Sequence, residues 1–327
     1  MPDAVSSTLD LQSYRSFFVG SEPVNVTGEK LEHYTFAEGG VPVAINPNGT
    51  YRTGGMYVQE FVQRQPRSPV PILFMHGGSM TGAIWEHTPD GRDGWLQHFL
   101  RAGFTCYNVD AVERGRSGWN PRDPHFQQHP ILRTAEDCFH QFRLGHPILS
   151  VTPESLAAAA YPGLQFPLES FDRFTESVVP RWSLTNSIIV SAYRELLEQI
   201  GPVIIVAHSQ GAAFAFQLAE QCPDLVKSIV ALEPARAGDA DGTAFRNVDV
   251  LAIYGDYLSL DPRWPTIRKG TDTFLAKATQ AGADITVLDL PEKGINGNSH
   301  LLLIEKNNAQ IADLAIGWLR DKQQTAA

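Results

Sequence analysis

The stretch of sequence that decides the fold is VIIVAHSQGAAFAFQL, residues 203–218. The apolar run at residues 203–207 predicts a buried strand, and the small and apolar residues from Gly211 onward predict a helix. Ser209 lies between them, at a sharp strand-to-helix turn. Such a turn strains the backbone of the serine and projects its hydroxyl above the sheet. We therefore predict that Ser209 is a nucleophile, and the alternative is a serine that only caps the helix.

The same alternation extends outward from this turn along most of the chain. From Val70 onward, short apolar runs alternate with helix-like stretches, and runs that are apolar on both faces are typical of parallel strands covered by helices. The predicted strands are Ile72–Met75, Phe104–Val109, Val203–Ala207, Ser228–Leu232, Val248–Tyr254 and Ile285–Leu288. Glycine and proline punctuation in residues 20–65 predicts antiparallel strands before them. The sequence thus predicts an α/β fold with a mostly parallel central sheet and helices on both faces.

Two helices are predicted from apolar spacing. The first has its apolar face at Ile189, Tyr193, Leu196 and Ile200, which are four, three and four residues apart. A closing C-terminal helix is predicted by the same rule, with an apolar face made of Ile311, Leu314, Ala315 and Trp318.

One long segment interrupts the alternation of strands and helices. Between Trp119 and about Trp182 no clean strand is evident, but aromatic residues are dense in short, proline-broken segments. An insertion of this length inside an α/β core usually has a function. We predict a core made of residues 1–120 and 183–327 and an inserted cap or lid at residues 121–182. The alternative is a helical subdomain that touches no substrate.

Composition excludes several classes of protein. The chain has 327 residues, of which 43% are hydrophobic and 19% charged, as in ordinary globular proteins. Its formal net charge of −10 argues against nucleic acid or anionic lipid as a partner. No apolar run reaches the ~18 residues of a membrane helix and the start lacks a leader pattern, which predicts a cytoplasmic protein with no membrane partner. Cys106, Cys138 and Cys222 lack paired spacing and are predicted to be buried thiols, and no metal is predicted.

A serine nucleophile needs a base, and His300 is the candidate. On α/β folds with this turn, the expected chain order is serine, acid, histidine. Of ten histidines, His300 alone follows Ser209, and it lies in a polar turn before the closing helix. We predict that His300 takes the serine proton. An exposed loop histidine without a role is the alternative.

Two carboxylates compete to orient His300. Glu233 directly follows the strand after the serine turn, and Asp256 follows the next strand. Asp256 comes one residue after a strand-end glycine, where aspartate commonly bonds nearby backbone amides. Glutamate is longer by one methylene, which suits the more distant strand. We predict Glu233 as the acid and keep Asp256 as the alternative.

Acyl transfer also needs two hydrogen-bond donors for an oxyanion. One is the backbone amide of Gln210, the residue after the serine. Residues 76–79, with the sequence HGGS, predict the second, because glycines let the backbone approach a ligand closely. Gly78 is the first candidate and Ser79 the second. A plain tight turn is the alternative.

Together these motifs resemble the α/β-hydrolase superfamily over residues 60–320. The resemblance is carried by the His-Gly-Gly turn, the sequence DAVERGRSG at residues 110–118, the turn at Ser209, and His300. It implies an α/β-hydrolase fold with a serine nucleophile.

A narrower resemblance is to the bacterial esterase 713 group. It is carried by TGAIWEHTPDGR at residues 81–92 and by GNSH at residues 297–300, with Asn307 and Asn308 beyond. This resemblance implies hydrolysis of carboxylic esters and an acid on the strand after the serine, which is Glu233 here.

The sequence therefore predicts a serine esterase that works through an acyl-enzyme with the triad Ser209, Glu233 and His300, and needs no cofactor. The residues predicted to contact substrate are His76, Ser79, Trp85 and Trp182. The aromatic-rich cap favours an apolar or cyclic small-molecule ester. A homodimer is left open. The alternatives are a lactonase, a lyase or cyclase, or a catalytically silent binding module on the same fold.

Overall fold

The computed structural model of the chain describes residues 8–126, 128–238 and 240–325. Its strands are β1 (Leu11–Val19), β2 (Glu22–Val26), β3 (Glu32–Tyr34), β4 (Val43–Ile45), β5 (Gly49–Thr53), β6 (Met56–Gln63), β7 (Ile72–Met75), β8 (Cys106–Asp110), β9 (Val203–His208), β10 (Val226–Leu232), β11 (Asp249–Tyr254) and β12 (Ile285–Asp289). Its α-helices are α1 (Ala83–Glu86), α2 (Trp95–Arg101), α3 (Ala135–Gln141), α4 (Pro153–Ala159), α5 (Phe171–Glu176), α6 (Asn186–Ile200), α7 (Gln210–Gln221), α8 (Trp264–Gln280) and α9 (Asn308–Thr325). The prediction of a missing leader falls mainly on residues 1–7, which lie outside the described residues.

An eight-stranded sheet in the order β1-β6-β8-β7-β9-β10-β11-β12 forms the centre of the fold. β6 pairs antiparallel with β1 and with β8, and each later neighbour pairs parallel. Successive side chains of a strand point to opposite faces. In β9, Ile204 and Val206 accordingly belong to one hydrophobic cluster, and Ile205 and Ala207 belong to the other. The predicted α/β fold with a mostly parallel sheet covered on both faces is confirmed.

The predicted elements are present with small shifts at their ends. The predicted strand Ile72–Met75 coincides with β7, and the other five parallel strands differ from their predicted bounds by one or two residues at an end. The helix predicted from Ile189 is α6. None of the helices in the described ranges is long and apolar enough to cross a membrane.

The predicted apolar face of α9 was wrong at one position. Leu314 is 38% exposed, whereas Ile311 and Ala315 are buried. The buried stripe also contains Ala312 and Leu319, so it is centred away from Leu314 on the helix. Ile311, Ala312, Ala315, Ile316 and Leu319 lie within one arc of the helix, and Leu314 lies outside that arc.

The cysteines are free, and their burial was predicted correctly for two of the three. Cys106 and Cys138 are buried, but Cys222 is only partly buried. Cys222 lies at the C-terminal end of α7, where the chain leaves the core.

Residues 121–182 contain α3, α4 and α5 and, among the residues described, no strand of the central sheet. Their eight large aromatic residues are all buried, and they are Phe126, Phe139, Phe142, Tyr161, Phe166, Phe171, Phe174 and Trp182. Phe166, Phe171 and Phe174 pack against one another with ring centroids 5.6 to 6.2 Å apart. Most of these aromatic residues therefore belong to the same hydrophobic clusters as the central sheet.

Candidate active site

Ser209 occupies a strained turn between β9 and α7. Its backbone φ is 53° and its ψ is −113°, a region that residues with a Cβ rarely adopt. The turn is held by two backbone hydrogen bonds: Ser209 N–H donates to Leu232 O at 2.9 Å, and Ala235 N–H donates to Ser209 O at 3.2 Å. A Cβ at Gly211 would lie 2.5 Å from the carbonyl oxygen of Met75, so only glycine lets α7 approach β7 this closely.

Ser209, His300 and Glu233 form one hydrogen-bonded chain. The distance from His300 Nε2 to Ser209 Oγ is 2.9 Å, and the distance from His300 Nδ1 to Glu233 Oε2 is 3.1 Å. A carboxylate only accepts, so Nδ1 carries the proton in this pair and Nε2 is left to accept from the serine hydroxyl. The structure thus brings together three side chains that are far apart in the sequence.

The Glu233 carboxylate is buried and ionised. It has no exposure to solvent, yet Arg143 Nη2 lies 2.7 Å from it and Gly255 N–H donates to it at 2.7 Å. Burial raises the pKa of Glu233, but the Arg143 guanidinium and His300 together lower it to about 2. The carboxylate therefore carries a full negative charge beside His300 at neutral pH.

Asp256 is occupied elsewhere. Its carboxylate accepts a hydrogen bond from Gly297 N–H, and its own N–H donates to Asn298 O at 2.6 Å. This is the backbone capture that the position of Asp256 suggested. The carboxylate that contacts His300 is that of Glu233.

His300 is enclosed by rings. Its imidazole stacks on Phe142 at 5.9 Å and packs against Trp264 at 4.9 Å between ring centroids. His208, which follows the apolar part of β9, donates from Nε2 to the carbonyl oxygen of His300 at 2.8 Å. Burial lowers the pKa of His300 below its usual 6.5, although Glu233 raises it. His300 is therefore neutral at pH 7, which is the state that a base requires.

The loop that carries His300 is anchored by Glu305, which the sequence did not single out, and by Arg92, which lies in a quoted motif. Glu305 accepts from Ser299 N–H at 2.8 Å and from Asn298 Nδ2 at 2.7 Å, and burial raises its pKa to about 7. Arg92 donates to Glu305 O at 3.0 Å and to Asn308 Oδ1 at 2.8 Å. These contacts join the motifs on which the resemblance to the esterase 713 group rests. Sequence spacing gives no sign of the Arg92 contacts, because they pair residues more than 200 positions apart.

The predicted oxyanion donors adjoin the serine. Gly78 and Gln210 line one cavity with Ser209. Gln210 is the first residue of α7, so its N–H has no acceptor within the helix. A Cβ at Gly78 would lie 3.2 Å from Gln210 Oε1, which shows how close the two residues are. Ser79 is fully buried, and within the described residues its hydroxyl has no partner. Gly78 is thus the better placed of the two candidates.

The cavity beside Ser209 has a volume of about 260 Å³. It is lined by Gly78, Arg133, Gln141, Phe142, Arg181, Ser209, Gln210, Ala235, Arg263, Trp264, Ile267 and His300. Four of these residues belong to residues 121–182, but of the eight aromatic residues in that segment only Phe142 is among them. In the part of the chain that is described, no group of three or more histidine, cysteine or acidic side chains is placed to hold a metal ion.

Three residues predicted to contact substrate lie in the core instead. His76 is buried and accepts from Ala111 N–H at 3.0 Å, and burial lowers its pKa to about 4. Trp85 is buried against Trp95, with ring centroids 6.1 Å apart. Trp182 is buried and donates to a backbone carbonyl at 2.7 Å. None of the three is among the described residues that line the cavity, so their role is packing.

Backbone strain is concentrated around this site. Six non-glycine residues in the described ranges have positive φ, and four of them belong to the site or support it: Ser79, Arg143, Ser209 and Glu233. Such conformations persist only where the surroundings enforce them, and they cluster at functional sites.

The sheet order, the crossing helices and the strained serine turn define the class of α/β-hydrolase folds. A protein-family sequence model described as "Alpha/beta hydrolase family" matches residues 72–294, and the chain belongs to this family. A solved structure described as a novel bacterial esterase superposes with a TM-score of 0.83 at 27% identity, over 98% of this chain and 99% of the other. This likeness confirms the predicted resemblance to the bacterial esterase 713 group.

Two curated proteins are also similar in sequence. A probable secreted lipase, phiG, of a fungal species (strain ATCC 74256) is 28% identical over 83% of this chain and 87% of its own length. Lipase LipV of Mycobacterium tuberculosis is 37% identical over 35% of this chain and 40% of its own length. The chain is therefore an esterase-like and lipase-like α/β hydrolase. The cytoplasmic location stays a prediction.

The Arg143 to Glu233 ion pair gives a prediction for stability. We expect Arg143→Met to lower the free energy of unfolding at pH 7 by about 3–5 kcal/mol, because it leaves a buried carboxylate without its partner. The pKa of Glu233 is lower in the folded chain than in the unfolded chain, so its stabilisation is present above about pH 4.5 and is lost as pH falls toward 2. Urea unfolding of both proteins at pH 7 and pH 3 measures the difference.

The matched control is Arg173→Met, which removes an exposed arginine of α5. We expect it to change stability by less than about 0.5 kcal/mol. If Arg143→Met lowers the free energy of unfolding by the same amount at pH 7 and pH 3, the assigned ion pair is contradicted.

Proposed function

We propose that the protein is a serine esterase that hydrolyses carboxylic esters through an acyl-enzyme. The observation that carries the proposal is the chain of hydrogen bonds from Ser209 through His300 to the buried Glu233, built on a strained strand-to-helix turn. Each member is in the protonation state that the chemistry requires at neutral pH. A base within 2.9 Å of the serine hydroxyl meets the geometric requirement for proton transfer.

In the acylation step, Ser209 Oγ attacks the ester carbonyl carbon and its proton moves to His300 Nε2. The carbonyl oxygen becomes an oxyanion that accepts hydrogen bonds from the backbone amides of Gly78 and Gln210. The bond to the alcohol oxygen then breaks, and His300 returns the proton to the leaving alcohol. The negative charge of Glu233 stabilises the imidazolium while it exists and holds the ring in the right tautomer.

In the deacylation step, a water molecule attacks the acyl-serine. His300 takes a proton from this water, the second tetrahedral intermediate forms, and its collapse returns the proton to Ser209 Oγ and releases the acid. Every proton therefore passes through one nitrogen, His300 Nε2, which is why the ring needs a fixed orientation.

We also propose that residues 121–182 act as a cap over the site. This segment supplies Arg133, Gln141, Phe142 and Arg181 to the cavity lining. Arg143, from the same segment, binds Glu233. A segment that closes the cavity and also orients the acid helps to exclude water from the reacting groups.

The similar proteins support an ester as the substrate. One is described as a bacterial esterase and two as lipases, and all three names refer to carboxylic ester hydrolysis. The cavity beside Ser209 has a volume of about 260 Å³, which favours a compact small-molecule ester over a long acyl chain.

Paired carboxyl-to-amide substitutions test the assignment of the acid. We expect Glu233→Gln to lower kcat on a neutral ester by about 10⁴-fold, because the amide favours the wrong tautomer of His300 and does not stabilise the imidazolium. Asp256→Asn should lose less than about 10-fold, since its side-chain oxygen still accepts from Gly297 N–H. Ser209→Ala serves as the reference variant, because it shows how much activity remains without the nucleophile.

Initial rates on ethyl pentanoate, with thermal melts to verify folding, provide the measurement. If kcat falls equally in Glu233→Gln and Asp256→Asn, or falls further in Asp256→Asn, the assignment of Glu233 as the acid is contradicted. Undiminished hydrolysis by Ser209→Ala would overturn the esterase proposal itself.

The environment of His300 predicts the pH profile. Because burial lowers its pKa, we expect kcat/KM to be constant from pH 7 to 9 and to fall only on the acid side, with a midpoint below 6.5. Glu233→Gln should move that midpoint to lower pH, since the carboxylate is the group that raises the pKa of His300. Rates with ethyl pentanoate from pH 4 to 9 measure it, and a midpoint above 7 would contradict the role of His300.

A further inference from the structure

The lining of the cavity is basic, although the protein as a whole is acidic. Three of the twelve lining residues are arginines, Arg133, Arg181 and Arg263, and no lining residue is aspartate or glutamate. The formal net charge of the chain is −10, so the composition does not account for this local excess of positive charge. A cavity lined by one sign of charge attracts ligands of the opposite sign.

Of these three arginines, Arg181 is the one that has no ion pair among the described residues. Arg133 is paired with Asp137 at 2.5 Å, and Arg263 is paired with Asp261 at 2.7 Å. Within the described residues, no carboxylate lies within ion-pair distance of Arg181, and its Nε is buried without a hydrogen-bond partner. Arg181 as a whole is partly buried, but a charged nitrogen that is removed from water without a partner is costly, unless a ligand supplies the partner.

The position of Arg181 is fixed by the backbone. Arg181 N–H donates to Ile131 O at 3.2 Å, and Ile131 N–H donates back to Arg181 O at 2.7 Å. Two residues earlier, Val179 N–H donates to Ser79 O at 3.0 Å. The segment that carries Arg181 is thus attached directly to the turn that contains Gly78.

The guanidinium of Arg181 lies over that turn. A Cβ at Gly78 would be 2.6 Å from Arg181 Nη1, so the cation is in contact with the residue that we assign as an oxyanion donor. Burial lowers the pKa of Arg181, and so do Arg114 and Arg133 nearby, whereas Glu113 raises it, so two like charges and one opposite charge act on the guanidinium. An anion bound at this point would relieve the repulsion and restore the missing hydrogen bonds.

We propose that Arg181 binds a carboxylate of the substrate, so that the preferred substrates are compact esters that carry a free carboxylate. The inference rests on the proposed esterase function and assigns its substrate class. A guanidinium presents paired N–H donors in the geometry of a carboxylate. A cavity of about 260 Å³ accommodates a short acid such as the half-ester of a C4 or C5 dicarboxylic acid.

Three esters of similar size test the proposal. Monoethyl glutarate has the carboxylate on the acyl side, butanoyloxyacetate has it on the alcohol side, and ethyl pentanoate is neutral. We expect wild-type kcat/KM for one of the two anionic esters to exceed that for the neutral ester by at least about 10-fold. The preferred anionic ester identifies the side of the ester on which the carboxylate lies. This preference should decrease as salt concentration increases.

Variants at Arg181 separate binding from other roles. Arg181→Met should lower the ratio of kcat/KM for the preferred anionic ester to that for the neutral ester by about 10- to 100-fold, mainly through KM. Arg181→Lys should retain part of the ratio, because it keeps the charge but not the paired donors. Arg173→Met, which removes one positive charge outside this cavity, should leave the ratio unchanged.

The outcomes distinguish this inference from the proposed function. If the wild type hydrolyses ethyl pentanoate through Ser209 but does not prefer an anionic ester, the inference alone is overturned. An equal loss on all three esters in Arg181→Met would also overturn it, because it would indicate an oxyanion donor or a structural role. If none of the esters is hydrolysed, both proposals fail. Should Arg181→Met not fold, competitive inhibition of the wild type by glutarate but not by pentanamide supports the proposal, and equal inhibition overturns it.

Discussion

A carboxylate with no exposure to water has to remain ionised in this protein, and the ion pair between Glu233 and Arg143 is the interaction that keeps it so. The two side chains come from different parts of the fold: Glu233 directly follows a strand of the central sheet, and Arg143 lies within residues 121–182. Arg143 also stacks on Trp264, which in turn packs against His300. The position of residues 121–182 and the orientation of His300 therefore depend on the same buried charge pair.

The carboxylate that contacts His300 comes from the strand after the serine turn, because the carboxylate at the end of the next strand binds the backbone instead. The carboxylate of Asp256 holds the backbone that leads into His300, and Glu233 reaches the imidazole with a side chain one methylene longer. Each carboxylate thus has a separate role, one in shaping the loop and one in orienting the ring. Glu305 accepts a hydrogen bond from the backbone of the loop, and Arg92 donates to the backbone of Glu305. His300 is thus held by contacts from several elements.

Sequence reasoning predicted the fold correctly, because the strands, the helices and the serine turn have local causes, and the roles of the site residues stay predictions. The turn at Ser209 is encoded by adjacent residues, and His300 is the one histidine that satisfies the chain order. Arg143 had no local signal, because it contacts Glu233, which lies 90 positions away. Glu305 lies only seven residues from Asn298, but no sequence motif marks a single glutamate as the anchor of that loop. The aromatic residues of residues 121–182 were expected to favour an apolar substrate, but all eight are buried and only Phe142 also lines the cavity. Composition indicates that such side chains will be buried. Only the tertiary structure shows which residues they pack against.

The proposal that Ser209 is an activated nucleophile is tested most directly by covalent labelling. Intact-protein mass spectrometry after incubation with a fluorophosphonate measures how many serine residues react, and peptide mapping identifies which ones. The expected result is one adduct per chain on the peptide that contains Ser209, with no adduct in Ser209→Ala and much slower labelling in Glu233→Gln. Labelling at another residue, or a folded protein that stays unlabelled, would contradict the assigned nucleophile.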